Sequence, residues 1–167
     1  MPTIILMRHA NAELASPGMR DFDRPLSNQG WADAEITANL LKTVYFDRNN
    51  TKISMVFCSP ACRTVETLAA LRKTVIIEDP AINFLQELYA GDDEAYADLV
   101  KSVEADKVCV MIGHNPMIES FAFALAHKGD LTGLLQLKTG FPTSAIAVVE
   151  LKNNSIKGEL LHFFTAN

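Results

Sequence analysis

Two side chains that could do chemistry, Arg8 and His9, follow directly on the apolar run Ile4-Ile5-Leu6-Met7. A buried strand that ends in an arginine and a histidine presents both at the edge of a sheet. There a guanidinium can bind an oxyanion and a neutral imidazole can act as a nucleophile. The chain repeats this arrangement at Ser59-Pro60-Ala61-Cys62-Arg63 and at Gly113-His114-Asn115-Pro116. Together the three segments indicate a site for a phosphate group.

The chemistry of such a site follows from its charges. A phosphate carries negative oxygens, so a nucleophile can attack it only after that charge is neutralised. Arg8 and Arg63 can do this through charge-assisted hydrogen bonds worth roughly 1.5–3 kcal/mol each. Because neighbouring arginines disfavour a protonated imidazole, we expect His9 to be neutral and to attack phosphorus, forming a phosphohistidine. His114 would donate a hydrogen bond to the phosphoryl oxygens as their charge rearranges.

We expect no metal and no other cofactor, because the arginines neutralise the charge that a metal would otherwise neutralise. The four histidines and three cysteines form no His-x-x-x-His or Cys-x-x-Cys pair, and there is no P-loop. A Cys-x5-Arg phosphatase loop is excluded by counting, since only four residues separate Cys58 from Arg63.

Composition narrows the class of protein. With 167 residues the chain is long enough for one domain with its own core, and we expect a single domain over residues 1–167. The net charge of −5 argues against nucleic acid or an anionic membrane as a partner. No apolar run is long enough to span a membrane. An odd number of cysteines indicates reduced thiols and a cytoplasmic location.

Alternating strands and helices predict a three-layer α/β/α sandwich around a largely parallel mixed sheet, with the site at the carboxyl ends of the strands. The expected strands are residues 3–7, 53–58, 74–77 and 106–112, with a closing hairpin of residues 144–151 and 156–164. The expected helices are residues 27–42, 93–103 and two that begin at Ser59-Pro60 and Asn115-Pro116, each with a polar cap before a proline. Residues 129–142 are expected to form a loop.

Several ordered motifs resemble the histidine phosphatase superfamily, whose fold is phosphoglycerate-mutase-like, and more closely its short SixA-type branch of phosphohistidine phosphatases. The motifs are Leu6-Met7-Arg8-His9-Ala10, Arg24-Pro25-Leu26-Ser27 with Gly30, Ser59-Pro60 with Arg63-Thr64 and Thr67, and Gly113-His114-Asn115-Pro116. The resemblance implies that His9 is the phosphorylated nucleophile and that Arg8, Arg63 and His114 assist it. Ala10 replaces the usual glycine, a substitution common in the short branch.

Two further residues enter through the resemblance. Arg24 resembles another phosphate-binding arginine, although it could equally be a loop charge paired with Asp21 or Asp23. Glu87 lies where larger relatives place a general acid, a role that the short branch often manages without. Thr143 and Ser144 lie near the site in relatives, but a turn is the simpler interpretation of this pair.

These patterns predict a metal-independent phosphatase acting through a phosphohistidine intermediate. Its expected substrate is phosphohistidine on a partner protein, a phosphotransfer domain or carrier, because the chain lacks the long insertions that enclose a small metabolite. One alternative is a small-molecule phosphomonoesterase of the same superfamily. Another is a non-catalytic phosphate-reading module, which the two histidines disfavour because a reader needs arginines but no nucleophile.

Overall fold

The strand that carries Arg8 lies at the centre of the sheet. The computed structural model describes residues 1–152 and 155–166. Within them seven strands pair in the order β3-β2-β4-β1-β6-β7-β5. The strands are β1 (Thr3–Arg8), β2 (Met55–Cys58), β3 (Ile82–Phe84), β4 (Val108–Gly113), β5 (Ala126–Gly129), β6 (Ile146–Leu151) and β7 (Gly158–Phe164).

The sheet is mixed and largely parallel, as the sequence predicts. Strand β1 pairs in parallel with β4, β4 with β2, and β2 with β3. Strand β6 runs antiparallel to both of its neighbours, β1 and β7, and β7 pairs in parallel with β5. The carboxyl ends of β1, β2 and β4 therefore meet at one edge of the sheet, next to one another.

Helices cover both faces of this sheet. They are α1 (Asn28–Leu40), α2 (Asp47–Asn49), α3 (Cys62–Arg72), α4 (Glu87–Ala90), α5 (Asp93–Lys101), α6 (Met117–Leu125) and α7 (Leu131–Thr139). Alternate residues of β1 face opposite layers, since side chains along a strand alternate between its two faces. Ile4 and Leu6 pack with residues of α5, α6 and α7, whereas Ile5 and Met7 pack with residues of α1 and α3. The result is the expected three-layer α/β/α sandwich.

The first helix begins where the sequence predicts and ends later. The hydroxyl of Ser27 accepts a hydrogen bond from the backbone N–H of Gly30 at 3.0 Å, which caps the helix. Beyond Leu40 the chain continues through a π-helical segment, Leu41–Phe46, into α2. The continuation buries Leu41, Tyr45 and Phe46 against the sheet. This apolar face explains why the helical region extends beyond the predicted end at residue 42.

A small satellite cluster supports the segment that follows β1. Ala10, Leu26, Ala34 and Ala70 are buried together, and Trp31 packs against them from α1. The backbone N–H of Ala10 donates to Thr67 Oγ1 at 3.0 Å, which ties the same segment to α3.

Two predicted elements are wrong. Residues 74–77 form no strand, although Val75 and Ile77 are buried, because their apolar side chains pack on the core without joining the sheet. The edge position is taken instead by β3. Residues 129–142 contain helix α7, not a loop throughout. Asp130 caps α7 by accepting hydrogen bonds from the N–H groups of Thr132 and Gly133.

The closing hairpin is confirmed, with β6 and β7 antiparallel. Two of its predicted turn residues, Asn153 and Asn154, lie outside the described residues. Among the residues that the structure describes, no helix is both long enough and apolar enough to cross a membrane.

Candidate active site

The ends of three neighbouring strands place the predicted residues at one edge of the sheet. Arg8 is in register with Gly113 across the β1–β4 pair. The backbone N–H of His9 donates to the Gly113 carbonyl at 3.1 Å, and the N–H of Ser59 donates to the Ile112 carbonyl at 3.0 Å. His9, Ser59 and His114 therefore leave adjacent strands at nearly the same level.

His9 and His114 face each other at this edge. Their ring centroids lie 5.0 Å apart, with the rings tilted by 52°. Nδ1 of His9 lies 2.8 Å from the carbonyl oxygen of Ala10. A carbonyl can only accept, so Nδ1 carries the proton and Nε2 keeps its lone pair. The local backbone therefore selects the tautomer in which Nε2 is unprotonated.

The pKa of His9 is lowered to about 4, mainly because burial penalises the charged ring. The carbonyl of Ala10 acts in the opposite direction. The charges of Arg63, Arg8 and Arg24 lower the pKa further, in that order. His9 is therefore neutral near pH 7, as the sequence predicts, although desolvation contributes more than the arginines from which the prediction was made.

His114 is almost fully buried, with 8% of its surface exposed. Its Nε2 lies 2.8 Å from the hydroxyl oxygen of Ser59. Burial, followed by the charges of His9 and Arg63, lowers the pKa of His114 to about 3. If the Ser59 hydroxyl donates to Nε2, the proton of the neutral ring is on Nδ1. That atom is buried and has no hydrogen-bond partner among the described residues.

The helices after β2 and β4 begin later than predicted. Helix α3 begins at Cys62 and α6 at Met117, and neither start has a side-chain cap. Ser59 Oγ accepts a long hydrogen bond of 3.4 Å from the N–H of Ala61 and also contacts His114 Nε2. Asn115 Nδ2 donates to Glu119 Oε2 at 2.6 Å and to the Phe141 carbonyl at 3.2 Å.

Arg8 is held by the segment before β6. Its Nη1 donates to the Phe141 carbonyl at 2.9 Å. Its Nε is buried and has no partner within the described residues. Burial lowers the pKa of Arg8, and the nearby charge of Glu119 raises it. The guanidinium is thus held at Nη1 by the backbone of Phe141.

Arg63 and Arg24 converge on one carboxylate, that of Asp21. Arg63 donates from Nη1 to the Asp21 carbonyl at 2.7 Å and from Nη2 to its carboxylate at 3.0 Å. Arg24 Nη1 donates to the other carboxylate oxygen at 2.9 Å. The ion pair that the sequence offered as an alternative for Arg24 does form, but the same aspartate also binds Arg63. Arg24 therefore lies next to a predicted site arginine.

Glu87 has no hydrogen bond or ion pair with the other predicted site residues in the described part of the chain. It is exposed at the first position of α4. Two residues later, Tyr89 packs its ring on His114 with centroids 5.4 Å apart and donates its hydroxyl to Asp21 at 3.3 Å. Tyr89, and not Glu87, is thus the residue of α4 with recorded contacts to the site. The role of Glu87 as a proton donor stays a prediction.

Sequence reasoning missed the contributions of Tyr89 and Glu119, and it named Asp21 only as a candidate partner of Arg24. No local signal marks Glu119 or Tyr89, because both reach the site through tertiary contacts.

For Ser144 the sequence favours a turn. This residue is fully buried with φ of 65°, and its N–H donates to the His9 carbonyl at 3.2 Å.

In the part of the chain that the structure describes, no group of three or more potential metal ligands is found.

Comparison with known proteins agrees with this geometry. Residues 4–109 match the sequence model of the histidine phosphatase superfamily (branch 1). The chain therefore belongs to the histidine phosphatase superfamily. The matched region contains His9 and Arg63, whereas His114 follows it.

The similarity to solved structures extends over nearly the whole chain and favours the SixA-type branch. The SixA protein of Agrobacterium tumefaciens, provisionally described as a phosphohistidine phosphatase, is 32% identical, with a TM-score of 0.79 over 98% of this chain and 97% of that one. A SixA protein of Nakamurella multipartitia, described in the same provisional way, is 26% identical, with a TM-score of 0.73 over 98% and 95% of the chains.

One curated relative is matched over a shorter region. An uncharacterised chloroplastic protein of Arabidopsis thaliana is 32% identical over 88 residues, which is 52% of this chain. The same region is 38% of the length of that relative.

Proposed function

We propose that this protein is a phosphatase that transfers a phosphoryl group to Nε2 of His9 and then to water. The observation that carries this proposal is the tautomer of His9. Its Nδ1–H is bonded to the Ala10 carbonyl, and its lowered pKa keeps Nε2 unprotonated. A neutral, fixed imidazole beside three arginines is what in-line attack on a phosphate requires.

In the first step, Arg8, Arg63 and Arg24 bind the phosphoryl oxygens and reduce their charge. Nε2 of His9 forms a bond to phosphorus as the bond from phosphorus to the leaving group breaks, and the leaving group takes that electron pair. Nδ1–H of His114 donates to an equatorial oxygen. In the second step, water attacks phosphorus, the bond to His9 breaks with its electron pair returning to Nε2, and phosphate leaves with the two protons of the water.

The substrate class is phosphohistidine displayed on a partner protein, such as a phosphotransfer domain or a phosphocarrier. Two observations support this. His9 and Tyr89 are partly exposed, so the phosphate site reaches the surface. The relative from Agrobacterium tumefaciens, matched over nearly the full length of both chains, is described as a phosphohistidine phosphatase. A cytoplasmic location belongs to the same proposal and is supported by the three unpaired cysteines.

The test is phosphate release from a phosphohistidine protein and from p-nitrophenyl phosphate, with chelator present. We would compare wild type, His9→Ala and His127→Ala. His127 lies on β5 and is exposed, so it controls for the loss of any histidine. We expect release from the phosphohistidine protein by wild type and His127→Ala, and none by His9→Ala.

Three outcomes would contradict the proposal. Release from the small ester alone would indicate a small-molecule phosphomonoesterase. Phosphate binding without release from either substrate would indicate a phosphate-reading module. Full activity of His9→Ala would exclude His9 as the nucleophile.

A further inference from the structure

Two half-exposed aromatic rings form one side of the phosphate site. Tyr89 packs edge-on against Phe22, with ring centroids 5.1 Å apart at 84°, and against His114 at 82°. The Tyr89 hydroxyl donates to the carboxylate of Asp21. We call Asp21, Phe22 and Tyr89 the acidic aromatic rim.

The rim already accepts a planar cation within the chain. The guanidinium carbon of Arg20 lies 5.9 Å from the centre of the Phe22 ring. A cation in this position is attracted by the negative face of the ring. The Arg20 side chain is 75% exposed and forms a bidentate ion pair with Asp23, with hydrogen bonds of 2.6 and 2.8 Å that do not depend on the Phe22 ring. Another cation could therefore compete for the ring.

Asp21 supplies an exposed carboxylate edge at the same place, although the two arginines that it binds offset its charge. Its carboxylate is 54% exposed while it binds Arg24 and Arg63. Bonds from Arg24, Arg63 and Tyr89 lower the pKa of Asp21 to about 2, so it is ionised at any working pH. The histidines behind the rim have strongly lowered pKa values. The side of the site that holds the two histidines thus disfavours a cationic ring, whereas the exposed carboxylate edge of Asp21 and the ring faces of the rim can accept one.

A site with neutral histidines on one side and a cation-accepting rim on the other matches one kind of leaving group. A phosphorylated imidazole has a second ring nitrogen that can be protonated, which makes the ring a planar cation. The alcohol portion of a phosphomonoester carries no such charge. We infer that the acidic aromatic rim binds the protonated imidazole ring of a phosphohistidine and so selects it over the leaving group of a phosphomonoester. The inference rests on the proposed function.

The same arrangement simplifies the first chemical step. Nε2 of His9 forms its bond to phosphorus while the bond from phosphorus to the substrate ring nitrogen breaks. The electron pair of that bond passes to a ring that is already protonated at its other nitrogen, so a neutral imidazole leaves. No side chain has to donate a proton in this step. A phosphomonoester has no proton of this kind to use.

Three small substrates separate the contribution of the ring from that of the charge. Phosphoimidazole has a ring and a protonatable nitrogen, phosphoramidate has a protonatable nitrogen without a ring, and p-nitrophenyl phosphate has a ring without a cationic form.

For Tyr89→Leu and Phe22→Leu we expect the kcat/KM ratio of phosphoimidazole to phosphoramidate to fall about three- to fivefold. Tyr89→Phe retains the ring, and Phe123→Leu removes an exposed ring on α6. Both should keep the ratio of wild type.

For Asp21→Asn we expect kcat/KM for both nitrogen-linked substrates to fall about tenfold relative to p-nitrophenyl phosphate. If the substitution only weakened the hold of Asp21 on Arg24 and Arg63, the rates on all three substrates would fall together. Unchanged ratios in every variant, with wild type active on phosphoimidazole, would overturn the inference and leave the proposed function intact. A wild type that cleaves p-nitrophenyl phosphate but neither nitrogen-linked substrate would overturn both.

Discussion

Glu119 and Arg8 are joined through the backbone of Phe141. Glu119 Oε2 accepts a hydrogen bond from the Phe141 N–H at 3.3 Å, and the Phe141 carbonyl accepts one from Arg8 Nη1 at 2.9 Å. Phe141 itself is 1% exposed and packs its ring against Phe163. The carboxylate of Glu119 thus holds the backbone to which Arg8 is bonded.

Removing this carboxylate should weaken phosphate binding. We expect Glu119→Ala to raise KM and the inhibition constant of inorganic phosphate about tenfold, because Phe141 loses the acceptor of its N–H and Arg8 loses its fixed orientation. Competitive inhibition by phosphate measures this directly. Glu104→Ala removes an exposed glutamate elsewhere and should leave the constant as in wild type. Tighter phosphate binding by Glu119→Ala would show that the charge of Glu119, and not its hydrogen bonds, dominates.

Ser59→Ala should affect both the stability and the rate. Ser59 is fully buried, and its hydroxyl is the partner of His114 Nε2. Its loss leaves a buried ring nitrogen without a hydrogen bond, at a cost of about 1–3 kcal/mol in the free energy of unfolding. The tautomer of His114 would no longer be fixed, so we expect kcat to fall about tenfold or more. Urea unfolding and steady-state rates measure the two effects, and an unchanged kcat would contradict the role given to His114.

Stability should fall as the pH is lowered from about 6.5 towards 4. The pKa of His9 is about 4 and that of His114 about 3 in the folded protein, below the usual value of about 6.5 in an unfolded chain. The unfolded state therefore binds protons first in this window. As the pH falls, each histidine lowers the free energy of unfolding by up to about 1.4 kcal/mol per pH unit.

Urea unfolding at several pH values between 5 and 7 measures this slope. His114→Asn should reduce it, and His127→Asn, at an exposed position, should not. The lowered pKa of Asp21 has its effect below about pH 4, because that carboxyl loses its stabilising charge only there. A slope that is unaltered in His114→Asn would contradict the burial of a neutral ring at this position.

Glu87→Gln tests the predicted proton donor. An alkoxide needs a proton as it leaves, whereas a protonated imidazole does not, so we expect this variant to lose more activity on glycerol 2-phosphate than on phosphoimidazole. Steady-state rates of Glu87→Gln and of wild type on both substrates measure this difference. Wild-type rates on both would remove Glu87 from the mechanism.

The central part of the fold and site could be predicted because its signals are local. Apolar runs that end in Arg8, Ser59 and His114 identify three strands, and parallel strands bring their carboxyl ends to one edge. The capping serine of α1 could be recognised for the same reason.

The missed parts depend on tertiary contacts. Strand β3 has three residues, too few for a periodic pattern, yet it places α4 and therefore Tyr89 beside His114. Glu119 reaches the Phe141 backbone across 22 positions in sequence, which no local pattern reveals. Val75 and Ile77 show the converse error, because burial without pairing leaves the same apolar pattern as a strand.

The satellite cluster around Ala10 gives this chain a built-in spectroscopic probe. Trp31 is its single tryptophan, and the ring packs on the residues that support the segment after His9. Lys73 Nζ lies 4.9 Å from the centre of the same ring. Fluorescence excited at the red edge of protein absorption therefore comes from one place, the cluster that contains Ala10, the chain neighbour of His9. A change in its intensity during turnover would time the filling and emptying of His9 without any attached label.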